Sequence, residues 1–79
     1  EIIMTIGNLI KYMRNSAGLS QVDLSFSLGI AQNTLSGYET DNSQPNFDMV
    51  QRIAQICEFD IVFVDRNSSE SISVQTEHT

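Results

Sequence analysis

Three features of this sequence predict a mainly α domain of four to five short helices with a C-terminal β-strand. Ile6, Leu9, Ile10 and Met13 recur at i, i+3, i+4 and i+7, the spacing of one helix face. The stretch from Ser20 to Glu39, SQVDLSFSLGIAQNTLSGYE, reads as two short helices joined at Gly29. After Phe59 the period changes. Ile61, Val62, Phe63 and Val64 are β-branched or aromatic, are bounded by Asp60 and Asp65, and are too few for a helix.

The first helix takes Thr5 as its N-cap and stops at Gly18, with Lys11 and Arg14 three apart on another face. Ser20 caps the second helix, and Asp23 stands at the reciprocal position of a capping box. Val22, Leu24 and Leu28 supply its apolar positions, and Ser25 is small enough for a neighbouring helix to come close. Gly29 offers the positive φ that a sharp helix exit needs. Ile30 then anchors a third helix in which Leu35 and Tyr38 recur at helical spacing. Two helices and a tight glycine turn make a helix-turn-helix, the unit that places its second helix in the DNA major groove. A polar loop from Thr40 to Pro45 leads to Asn46, a cap for a fourth helix with Phe47, Val50, Ile53, Ala54 and Cys57 as its buried stripe.

The strand Ile61–Val64 is apolar on both faces, so alone it would expose hydrophobic surface and backbone groups. Pairing with the same strand of a second subunit resolves this and predicts a homodimer. The segment from Asn67 is polar and serine-rich and reads as a flexible tail, although Ile72 and Val74 alternate with serines and leave a short second strand open. The expected organisation is a helix-turn-helix domain over 1–59, a dimerising strand over 60–66 and a tail over 67–79.

Seventy-nine residues support one small domain. No apolar run reaches the ~18 residues of a membrane span, no signal-peptide pattern is visible, and the single cysteine, Cys57, has no internal disulfide partner. A cytoplasmic protein without membrane contact is expected. Met4 offers a natural start after Glu1. The net charge of −6 opposes simple phosphate binding, since the only cations are Lys11, Arg14, Arg52 and Arg66. Five of the acids, Glu58, Asp60, Asp65, Glu70 and Glu77, lie C-terminal to the helix-turn-helix.

From Ile6 to Phe59 the chain resembles the Cro and phage-repressor helix-turn-helix regulators, also called the xenobiotic-response-element (XRE) family. The resemblance rests on the leading helix IGNLIKYMRNSAG, the LSQ start of the second helix, the GI turn, the third helix TLSGYE and Pro45 before the fourth. It implies a lambda-repressor-like fold and double-stranded DNA as partner. It further implies that Gln21 meets a phosphate, and that Gln32, Asn33, Thr34 and Ser36 meet base edges or backbone. The chemistry suits this, because Gln and Asn amides match adenine N7 and N6 in a bidentate pair. The arginine late in the family's first helix pairs with the glutamate ending its third, which implies a structural ion pair between Arg14 and Glu39. Lys11 and Arg52 then remain as the phosphate cations. Three departures stand out: Gly37 where many relatives carry a longer reading side chain, Ala31 where a capping Ser or Thr is common, and Asp41 in place of a glycine, which adds negative charge close to the DNA side.

Enzyme chemistry has little support. His78 is the only histidine and lies in the expected tail, Cys57 sits on an apolar stripe, and no cysteines or histidines show metal-ligand spacing. Neither a metal nor a cofactor is expected. The sequence therefore points to a sequence-specific DNA-binding transcriptional regulator, a repressor acting as a homodimer. Two alternatives are the antitoxin of a toxin–antitoxin pair, with a toxin as partner, and a helix-turn-helix module that binds another protein and no DNA.

Overall fold

The computed structural model describes residues 2–74. The described residues form four helices, α1 (Ile6–Ser16), α2 (Gln21–Leu28), α3 (Gln32–Glu39) and α4 (Phe47–Ile56), followed by strands β1 (Ile61–Val64) and β2 (Ser71–Val74). Three helix starts are capped by side chains. Thr5 accepts from the Asn8 N–H, Ser20 and Asp23 close a capping box, and Asn46 accepts from the Met49 N–H. The start of α3 has Ala31 at the cap and no side-chain acceptor.

Each helix ends in a reversed turn in which the left-handed residue's own N–H and that of the next residue bond back into the last helical turn. Gly18 and Gly29 take this conformation after α1 and α2, both at φ 72°. After α3 and α4 it falls to Asp41 and Glu58, at φ 61° and 63°. A non-glycine residue there is strained by about 1–2 kcal/mol. Asp41 offsets that strain with long-range bonds: its carboxylate accepts from the Gly7 N–H at 2.9 Å and the Thr5 hydroxyl at 2.8 Å. The carboxylate thus sits at the positive N-terminus of α1. A Cβ on Gly7 would lie 2.6 Å from the Tyr38 carbonyl and 2.8 Å from that carboxylate, so only glycine fits between α1 and the end of α3.

The core draws one fully buried side chain from each helix: Ile10, Leu24, Leu35 and Ile53. Burial of an aliphatic side chain of this size contributes about 1.5–3 kcal/mol. Met13, Leu28, Ala54 and Cys57 complete the cluster, with Leu9, Met49, Phe59 and Ile61 packed on its margin. Burial raises the Cys57 pKa above the ordinary thiol value, with nearby Arg14 opposing the shift, so it is a packing residue and a poor nucleophile.

Three apolar positions depart from the expected stripes. Ile6 and Val22 are exposed, and Phe47 leaves the core to meet Phe63, with ring centroids 6.2 Å apart. The tail departs further. Ser71–Val74 is a strand paired antiparallel with β1, placing Ile61 opposite Val74 and Phe63 opposite Ile72. Alternation of Ile72 and Val74 with serines puts both apolar side chains on the face shared with Ile61 and Phe63, which accounts for order where polarity alone suggested none. Gln75 to Thr79, including His78, lie outside the described residues.

β1 therefore pairs first within its own chain. The Asp65 N–H donates to the Glu70 carbonyl at 2.8 Å, and this pair continues the β1–β2 register. Antiparallel pairs alternate between bonded and non-bonded. Counting back, Phe63 and Ile61 bond β2, whereas the N–H and C=O groups of Val62 and Val64 point to the outer edge of β1.

Candidate nucleic-acid interface

The turn at Gly29 sets α3 across the end of α2 and leaves the front of α3 open. Gln32, Asn33 and Thr34 are exposed, Ser36 is half-buried, and Leu35 and Glu39 point into the protein. At 100° per residue, Asn33 and Gly37 share the most outward line of the helix. Gly37 is nevertheless half-buried, and a Cβ there would lie 3.0 Å from the Ser43 hydroxyl, so the loop after α3 covers this end of the outward line. That concentrates polar chemistry at the helix front.

Glu39 organises this front from below. It is only 5% exposed, and among buried residues it is the one that carries a charge. Arg14 Nε donates to its Oε2 at 2.7 Å and a second guanidinium nitrogen donates to Oε1 at 3.0 Å, a bidentate pair. Arg14 also donates to the Leu19 carbonyl at 2.9 Å, tying the α1–α2 loop to the same point. The Glu39 hydrogen bond is the main reason the Arg14 pKa lies above its ordinary value, with burial opposing it, so the guanidinium stays charged at any working pH.

The network continues outward to the surface. Gln21 Nε2 donates to Glu39 Oε1 at 3.2 Å, and Gln21 Oε1 accepts from Gln32 Nε2 at 3.4 Å. Because Glu39 is acceptor-only, it fixes the Gln21 amide with nitrogen inward and oxygen outward. Gln32 then turns its nitrogen towards Gln21 and leaves its own oxygen free. The first residue of α2 and the first of α3 are thus held in register by a buried charge pair. The sequence pairs Arg14 with Glu39 only through the family resemblance, and contains no local signal for the two glutamine links.

The candidate cations divide differently from expectation. Lys11 is exposed on α1. Arg52 is half-buried and donates to the Leu28 carbonyl at 2.8 Å, capping the C-terminal end of α2. One of its guanidinium nitrogens is thus engaged within the protein, whereas Lys11 is on the surface. Asp41, expected to add negative charge on the DNA side, is directed into the α1 N-terminus. Among the described residues no group of three or more His, Cys, Asp or Glu side chains could hold a metal ion, and no helix is long and apolar enough to cross a membrane.

A helix-turn-helix family model matches residues 10–64. Among solved structures, the chain is similar to the master regulator for biofilm formation SinR in complex with DNA, at 25% identity and a TM-score of 0.64, over 70% of this chain and 89% of that one. It is also similar to a HipB–O2 20mer complex, at 25% identity and a TM-score of 0.65, over 84% of this chain and 96% of that one. A structure described as MDT Protein matches at the same identity and TM-score, over 84% and 97%. No curated protein matches. With four helices arranged as in these regulators and a family match over most of its length, the chain belongs to the helix-turn-helix family of the Cro and phage-repressor, XRE, type.

Proposed function

We propose that this protein is a sequence-specific DNA-binding transcriptional repressor that acts as a homodimer on a two-fold related operator. The observation that carries this reading is the α3 front, where Gln32 and Asn33 stand exposed and Gln32 is held through Gln21 by the buried Glu39. An amide oriented in this way can match adenine N7 and N6 at a reduced entropy cost on binding. Asn33 reads a base edge, and Thr34 and Ser36 meet bases or backbone at the flanks. Gln21 orients Gln32 with its side chain, which is committed to Glu39 and Gln32, and meets a phosphate through its backbone N–H at the start of α2. Lys11 supplies a phosphate cation, and the uncapped N–H groups at the α3 start add donors for the sugar-phosphate backbone. Such a protein works in the cytoplasm, where its operator is, and needs no cofactor.

Dimerisation is assigned to the outer edge of β1. Val62 and Val64 direct their backbone groups there, and the same strand of a second copy running antiparallel would satisfy them. The pairing serves function, because two α3 helices must stand roughly 34 Å apart to enter successive major grooves.

Selection of bound duplexes from random DNA supplies the operator. Gln32→Ala and Asn33→Ala are then compared with the parent protein on a panel of single-base operator changes. Each variant should lose about 1–3 kcal/mol of discrimination at one base pair in each half-site, with folding intact. Unchanged preferences at every position would remove both residues from the readout.

A further inference from the structure

We propose that the groove between α4 and the open end of the β1–β2 hairpin binds a basic segment of a partner protein, which inserts one apolar side chain. The groove has a volume of about 420 Å³. Its floor is apolar, made by Ala54, Phe59, Ile61 and Val74, and its rim carries Glu58 and Asp60. Gln51 and Gln55, one turn apart on α4, supply donors and acceptors along one wall. Both rim carboxylates are exposed, and neither makes an ion pair among the described residues.

Charge selects the occupant. Phosphate is repelled by the two carboxylates, so the groove is not an extension of the DNA surface. A second copy docked through this same face would set its own exposed Glu58 and Asp60 against the rim, like charge against like. The segment that follows Val74, QTEHT, has no apolar side chain for the floor and adds another acid. A partner with a Leu or Phe flanked by Lys or Arg satisfies floor and rim together, the apolar group being desolvated while the cations meet the carboxylates. The inference is independent of the DNA reading, since neither α2 nor α3 lines the groove.

The test uses the full chain and a fluorescein-labelled KRLFKR peptide, with EDLFED and KRGGKR as comparisons, read by anisotropy and by amide shift mapping. KRLFKR should bind saturably with shifts centred on Ala54, Phe59 and Ile61, and the two comparison peptides should not bind. The double variant Glu58→Gln, Asp60→Asn should weaken KRLFKR about fivefold to tenfold, the size of two exposed charge pairs. Asp48→Asn, an acid at the start of α4 outside the groove, should leave it unchanged. Glu58→Gly should bind more weakly yet melt at a higher temperature, because glycine takes the positive φ of this position without steric cost. That pairing separates lost binding from lost folding. Equal binding of EDLFED or KRGGKR, shifts centred elsewhere, or indifference to the double variant would overturn the proposal. So would a change in self-association of the double variant, which would assign the groove to contact between copies.

Discussion

Removal of the Glu39 carboxylate should destabilise the protein more than any surface change and should loosen the α3 front as well. In Glu39→Ala, Arg14 loses both bidentate bonds, at 2.7 and 3.0 Å, and Gln21 loses its anchor at 3.2 Å. Breaking a buried pair from one side typically costs about 3–5 kcal/mol, because the remaining charge is left uncompensated. The Arg14 side chain is 11% exposed and keeps its bond to the Leu19 carbonyl, which places this case at the low end. The expected loss is therefore about 3 kcal/mol, or a fall in Tm of about 12–24 °C for a domain of this size. A chain of 79 residues has a total stability of about 4–12 kcal/mol, so the variant should be only marginally folded at 37 °C. Urea and thermal unfolding followed by circular dichroism measure the loss. The double variant Arg14→Met, Glu39→Met removes both charges and should recover to within about 1 kcal/mol of the parent. A Glu39→Ala loss below about 0.5 kcal/mol, the level of an exposed pair, would refute the buried-pair argument. A double variant as unstable as the sum of the two single changes would refute the uncompensated-charge mechanism.

Three further outcomes follow from the same geometry. Gly7→Ala should cost about 1–3 kcal/mol by thermal melting, because the new methyl meets the Tyr38 carbonyl and the Asp41 carboxylate, and a neutral result would mean that α1 slides freely on α3. Operator affinity should depend weakly on salt, with a slope of about −2 to −4 for a dimer with few free cations. A slope near −9, the value for about ten neutralised phosphates, would show a much larger interface than Lys11 and Gln21 provide. Val62→Pro should shift sedimentation towards monomer and lower operator affinity while the helical signal persists, because proline removes an outer-edge donor and spares the β1–β2 bonds. An unaltered dimer would move the interface to another surface.

The helix-turn-helix was legible because its determinants are local. Ser20 with Asp23, Gly29 and the apolar spacing of Leu24, Leu28 and Leu35 each act within a few residues, and all three signals agree. Contacts across the chain were not legible. Nothing near Asp41 announces that its carboxylate reaches Gly7, 34 positions away, and its charge alone suggested an outward role. Arg52 likewise reads as a surface cation until the Leu28 carbonyl is found beneath it, 24 positions earlier. The second strand had a signal in Ile72 and Val74, but a short serine-rich strand is stable only when another strand pairs with it, and that partner's register is a tertiary fact. Phe47 belongs to the stripe by spacing and leaves it because Phe63 offers an alternative neighbour.

The central claim is that DNA meets the starts of α2 and α3. Backbone amide shift mapping during titration with a selected operator duplex tests it most directly. The account predicts the largest changes at Gln21 and across Gln32 to Ser36, with the indole-free hairpin of Ile61–Val64 and Ser71–Val74 changing little. Changes centred on α4 and the hairpin, with the α3 front unmoved, would contradict it.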